Sequence, residues 1–152
     1  MSELKERIRA DLTASMKARD ELRTRTLRMV LSEISKEEVS GSASHELEDA
    51  EIMRVLSREA KRRREAAEAF NGAGRDDQAA AELAEGEVLA DYLPAQLDDA
   101  ELTALVAAAI AETGASGPSA MGQVMKAANP KVAGRAEGSR VAAEVRRQLA
   151  DQ

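Results

Sequence analysis

Leu4, Ile8, Leu12 and Met16 recur every four residues, a spacing that predicts a helix with one apolar stripe. Ser2 stands where its side chain can cap the first turn, and the helix should run to about Ala18. Leu22, Leu27, Val30, Leu31 and Ile34 trace a second helix toward Val39, which the small residues Ser40-Gly41-Ser42-Ala43-Ser44 interrupt. A third and longer stripe, Ile52, Val55, Leu56, Ala60, Ala67 and Phe70, ends at Asn71-Gly72-Ala73-Gly74. Asp76 or Asp77 opens a fourth helix through Leu83 and Leu89 to Asp91, weakened at Gly86 and closed by Pro94.

Beyond Pro94 the elements shorten. Asp98 and Glu101 have capping-box spacing, so a helix starts there; it carries Leu102, Leu105, Val106, Ala109 and Ile110 and stops at Thr113-Gly114. Two more helices follow, one from Ser119 through Met121, Val124 and Met125 to Ala128, the other with Val141, Val145 and Leu149. Asn129-Pro130 is expected to separate them. The pattern predicts an all-α fold with a helical domain of about four helices over residues 1–93. A three-helix tail domain over 97–152 follows, joined by Leu93-Pro94-Ala95-Gln96.

Composition agrees with helices throughout: a third of the residues are charged, and one Phe and one Tyr are the whole aromatic content. The core must therefore be aliphatic, with Met121, Val124 and Met125 more readily core than an adaptable surface. The absence of cysteine removes disulfides, thiolate nucleophiles and sulfur-based zinc sites. Charge interleaved through residues 1–16 leaves no apolar run for a signal peptide or membrane span, so a cytoplasmic protein without a membrane partner is expected.

Catalytic or metal-binding chemistry finds little footing. His45 is the single histidine and lies beside loop serines Ser42 and Ser44, which read as turn residues rather than nucleophiles. Glu59 and Glu65, or Glu82 and Glu85, have helical spacing, yet the Glu-x-x-His motif of bundle metal sites is missing, so solvated faces explain them. No cofactor, metal or catalytic residue is expected. The basic run Arg58, Lys61, Arg62, Arg63 and Arg64 spreads around its helix and reads as a solvated, ion-paired face, Glu59 and Arg63 forming an i,i+4 pair.

The sharper candidate lies near the C-terminus. The net charge is −6, but six cations, Lys126, Lys131, Arg135, Arg140, Arg146 and Arg147, follow Ser119, opposed there by Glu137, Glu144 and Asp151. Pro130 to Gly138 places Lys131, Gly134, Arg135 and a second glycine just before a helix start. Glycine permits positive φ, arginine offers a forked donor, and the helix end adds free amides. The geometry suits a phosphate, and equally a tight chain reversal.

Four stretches carry a family resemblance. They are Val55-Leu56-Ser57-Arg58-Glu59 with Lys61-Arg62-Arg63, then Tyr92-Leu93-Pro94-Ala95-Gln96-Leu97, Met121-Gly122-Gln123-Val124-Met125, and Lys131-Val132-Ala133-Gly134-Arg135-Ala136. In this order the chain resembles the YqeY (GatB/YqeY) family, itself similar to the C-terminal region of the B subunit of the glutamyl-tRNA amidotransferase. The resemblance implies a helical domain followed by a tail of the kind that engages tRNA, with Met121, Gly122 and Met125 in a packed tail helix and Gly134 and Arg135 in a loop facing RNA. Glu137 stands where the family more usually has Asp, so the last helix is expected to shift its cap to Gly138 or Ser139.

These readings make the chain a stand-alone, non-catalytic module that binds tRNA or a translation-related protein, with Lys126, Lys131, Gly134, Arg135 and Arg140 as the RNA-binding residues. Two alternatives stand beside it. One is an accessory role in amidotransferase-like carbon–nitrogen ligation with glutamine as amide donor, for which the chain lacks both a nucleophile–base pair and a phosphate-cradling loop. The other is a protein-interaction module without RNA.

Overall fold

The computed structural model describes residues 2–152 and is all-helical, with no strand among the described residues. Seven α-helices follow one another there: α1 (Glu3–Lys17), α2 (Glu21–Val39), α3 (Asp49–Gly72), α4 (Asp76–Ala90), α5 (Asp99–Thr113), α6 (Met121–Val132) and α7 (Gly138–Ala150), with a 3-10 turn at Pro118–Ala120. The chain divides into two compact units, one ending at Leu93 and one spanning Pro94–Gln152.

In the first unit Ser2, Asp20 and Glu48 stand at the N-caps of α1, α2 and α3, and the hydroxyl of Ser2 and the carboxylate of Asp20 accept the amides of Lys5 and Arg23. The apolar stripes of α1–α3 meet in a core of Leu4, Ile8, Leu27, Val30, Ile34, Ile52, Val55 and Leu56, which α4 completes with Val88 and Leu89. The four-residue repeat of α1 does not stay on one face, because an α-helix turns every 3.6 residues. Met16, its fourth member, is therefore rotated out to 42% exposure, and Ser15 is buried instead, its hydroxyl 2.9 Å from that of Thr24. Leu83 on α4 is likewise exposed. Ala79, a full turn before it, makes the buried contact.

The unit also buries charge. Glu59 is buried, which overturns its reading as part of a solvated face. Its carboxylate accepts from Arg62 (2.9 Å) and Arg63 (3.4 Å), while Arg63 reaches Glu82 (3.1 Å) and Glu85 (3.3 Å) on α4. Removing a partner from such an array leaves uncompensated charge, whereas an exposed pair such as Arg58–Glu37 (2.7 Å) is worth little. A second inward pair joins Lys5 to both oxygens of Glu38 at 3.0 Å. This lysine contact, joined by the Leu47 amide, holds the Glu38 carboxyl below its usual range.

Tyr92 closes the unit. Buried, it donates its hydroxyl to Asp11 (2.5 Å) and accepts from Arg23 (3.3 Å), and the Arg7 guanidinium lies 4.6 Å from its ring centre. Arg23 also donates to Asp91 (2.9 Å). The residue before the Leu93-Pro94 connection is thus tied to both α1 and α2.

In the second unit Asp98 accepts the Glu101 amide at the start of α5, and Gly114, at φ +63°, ends it. Val106, Ala109, Val124, Ala128, Val141 and Val145 form the core. Met121 and Met125 are half-buried against it. One expectation fails here: α6 does not stop before Asn129-Pro130 but runs through Pro130 to Val132. A proline in the last turn removes one amide, the one that would serve the Lys126 carbonyl, and leaves the rest of the ladder in place. Ala133 and Gly134, at φ +49° and +77°, make the stop.

Two measurements test this packing. Arg63→Ala should lower the free energy of urea unfolding by roughly 3 kcal/mol, several times the effect of Arg58→Ala, which should stay below about 1 kcal/mol. Burial, then the hydrogen bond to Asp11, pushes the Tyr92 phenol up to about 12. Because the folded state holds the proton more tightly than the unfolded chain, the interaction stabilises fully below pH 10 and fades as the pH rises toward 12. The chain has one tyrosine and no tryptophan, so tyrosinate absorbance reads it directly. Asp11→Asn should bring the midpoint down.

Candidate nucleic-acid interface

All six cations of the second unit lie on α6, the turn after it and α7, and α5 contributes none. α5 instead supplies carboxylates. Lys131 meets Glu112 (2.9 Å), Arg135 meets Glu101 (3.5 Å) and Arg140 meets Asp99 (2.9 Å). These pairs are open to water: the three carboxylate side chains are 60%, 51% and 100% exposed.

The two arginines have a further task. Arg135 Nε donates to the Ala95 carbonyl (3.1 Å), Arg140 donates to the Leu97 carbonyl (2.7 Å), and the Leu97 amide donates to the Arg135 carbonyl (2.8 Å). The segment Ala95–Leu97, in which Leu97 is buried, is therefore strapped to the α6–α7 turn. The sequence pattern suits both arginines to an anion, and the family resemblance makes that anion RNA. Their hydrogen bonds give them at least the work of bracing this segment, a role no spacing rule reveals because the partners are backbone carbonyls some forty residues away.

Gly134 has the positive φ that its place in the turn requires, and a side chain added there would meet nothing within 4 Å, so the turn is open on that side. The cap of α7 does not shift as expected: Glu137 itself occupies the N-cap position without a side-chain cap bond, Gly138 is the first helical residue, and the Ser139 hydroxyl lies 3.5 Å from the Glu137 carboxylate.

Arg147, near the end of α7, is consumed by Glu144 (2.5 Å) and Asp151 (3.4 Å). The Arg147 hydrogen bonds hold Glu144 down to about 2, and Gln148 and Thr103 add to the effect. Lys126 and Arg146 are different. Both are exposed, and among the described residues neither has a hydrogen-bond or ion-pair partner. Arg146 belongs to the local cationic excess without standing out in the sequence; only the pairing of its neighbours distinguishes it.

Elsewhere, His45 lies 3.3 Å from Glu51 at the surface, and the described residues contain no group of three or more His, Asp or Glu side chains placed to hold a metal. No helix among them is long and apolar enough to cross a membrane.

The sequence matches the profile of the family described as Yqey-like protein over residues 5–149. The chain belongs to the YqeY family. Among curated proteins it is similar to "Altered inheritance of mitochondria protein 41, mitochondrial" of Clavispora lusitaniae (strain ATCC 42720), 33% identical over 86 residues. That stretch is 57% of this chain and 49% of the relative, so the chain matches about half the length of that protein. The match spans all four of the sequence stretches. Tyr92 anchors its stretch in the first unit, and Arg135 and Leu97 tie two stretches together in the second.

Arg140→Ala should loosen the strap. With the Leu97 carbonyl released and a charge-assisted bond worth about 1.5 kcal/mol removed, exchange of the Leu97 amide should accelerate roughly tenfold, while amides in the centre of α5 keep their protection. Hydrogen exchange read by NMR or mass spectrometry checks this.

Proposed function

We propose that this YqeY-family chain is a non-catalytic RNA-binding module whose C-terminal unit engages the phosphates of tRNA and whose N-terminal unit serves as the helical scaffold. The observation that carries the reading is the sorting of charge in the second unit, with every cation on α6, the turn and α7, and the acidic helix α5 beside them. The pairs that engage Lys131, Arg135 and Arg140 use exposed carboxylates, and such pairs are worth at most about 1 kcal/mol. A phosphate can therefore replace them at small cost. The family's resemblance to the tRNA-engaging end of an amidotransferase subunit supplies the choice of RNA.

Cytoplasmic residence belongs to this proposal, and the name of the relative gives a mitochondrial one for that protein. Carbon–nitrogen ligation gains no support from a specific residue: the serines nearest His45 lie in an exposed loop, and His45 itself turns to Glu51.

Titration of a tRNA transcript across a salt series tests the reading. Binding should be measurable at low salt, with log affinity falling against log salt at a slope of about −2 to −4, as expected for a few displaced ions. No binding even at about 20 mM salt, where such attraction is strongest, would discard it.

A further inference from the structure

Four of the six cations in the second unit are held by carboxylates of the same unit, and the two that are not fall on one side of it. The direction of each helix face follows from the contacts. On α6, Lys131 marks the flank turned toward α5, because it meets Glu112 there. Lys126 is five positions earlier, about 140° around the helix, and two positions beyond buried Val124, about 200° from the core. On α7, Gln148 donates to the Thr103 carbonyl of α5 (2.9 Å), and Glu144, one turn before it, accepts from Gln148 (2.8 Å), so this flank faces α5. Arg146 is two positions from Glu144, about 200° around, on the flank away from α5. Both unpaired cations thus point away from the acidic helix, on two helices that pack against each other.

The rest of that surface suits the same partner. Gln123, Lys126 and Asn129 follow one another at three-residue spacing, all exposed, so two amides flank the lysine on one face of α6. Amide side chains both donate and accept, which matches phosphate oxygens and ribose 2′-hydroxyls. The three acids of this region are elsewhere: Glu144 and Asp151 hold Arg147, and Glu137 sits at the start of α7.

We infer that the outer face of α6 and α7, with Lys126 and Arg146 as its cations and Gln123 and Asn129 beside them, is the surface that tracks an RNA backbone, while Arg135 and Arg140 serve the Ala95–Leu97 strap. The inference rests on the RNA-binding reading and moves its centre from the turn to the helix face. A free cation gives up no internal partner on meeting a phosphate, whereas Arg140 would have to release both a carbonyl and a carboxylate.

The test compares the intact chain with Lys126→Gln/Arg146→Gln, each single variant, and the control Arg58→Gln, using fluorescence anisotropy of a labelled tRNA transcript over a salt series. Thermal unfolding confirms that each variant is folded, and the single variants serve if the double variant is not. The double variant should bind at least roughly tenfold more weakly at about 50 mM salt, and the magnitude of its salt slope should fall by about 2, one for each phosphate no longer neutralised. Arg58→Gln, a change in an exposed pair of the first unit, should leave both nearly unchanged. If the intact chain binds and the double variant matches it in affinity and slope, RNA does not sit on this face and the inference is overturned. If the intact chain itself does not bind, the RNA reading falls, and the inference with it.

Discussion

Three carboxylates placed on α5, Asp99, Glu101 and Glu112, hold three cations of the turn and helices that follow, and the character of the second unit depends on this division of charge. The pairs stabilise little individually because they are wet. Their importance is in where they act. Two of them orient arginines whose remaining donors reach backbone carbonyls of Ala95 and Leu97, so the electrostatics of α5 fix the path by which the chain enters its last three helices. Without Asp99 and Glu101 the guanidinium groups would have fewer constraints, and the strap on Leu97 would rest on its bonds to backbone alone.

The first unit handles charge in the opposite way. With one Phe and one Tyr in the whole chain, α3 and α4 have few bulky groups with which to fill their seam, and they bring a guanidinium and three carboxylates into it. A partly buried array of this kind adds geometric demand more than net stability, because desolvation offsets much of the attraction. Aliphatic stripes can slide by a turn with small loss, whereas Arg63 can meet Glu59, Glu82 and Glu85 together in one register. Tyr92 does comparable work at the end of the unit, where Asp11 and Arg23 on different helices converge on one hydroxyl.

What is legible in the sequence follows from which interactions are local. The seven helices are readable because caps, glycine stops and apolar spacing act within a few residues: Ser2, Asp98 and Gly114 all stand at helix ends in the structure. The departures arise where a local rule meets a wider constraint. Met16 reads as inward only from a four-residue repeat that drifts against the 3.6-residue turn, and Pro130 reads as a boundary although a proline in a final turn costs a single bond. Glu59 reads as solvated because its pair with Arg63 is visible in the spacing while the second helix that covers both is not. For the candidate interface, the local excess of cations is visible in the sequence, and their sorting into paired and free is not, since the partners of Lys131, Arg135 and Arg140 lie on α5 or in the strap.

That sorting bears on how an acidic protein can present a cationic surface at all. Long-range attraction of a polyanion to a chain of charge −6 is unfavourable, and salt shortens the range of both the repulsion and the attraction to about 10 Å at 0.1 M. Within that distance the local arrangement governs. A cation whose neighbour is a carboxylate at about 3 Å presents to an incoming phosphate a dipole rather than a charge, and the dipole's field falls off faster with distance. Among the described residues Lys126 and Arg146 have no such neighbour, and they face away from α5, so they offer a whole charge each, on a surface where Glu144 and Asp151 are already engaged with Arg147. Pairing on one side of the unit and exposure on the other thus turn a nearly balanced set of charges into a polar face, and the acidity of the remaining surface then disfavours any orientation of a polyanion other than the one that meets it there.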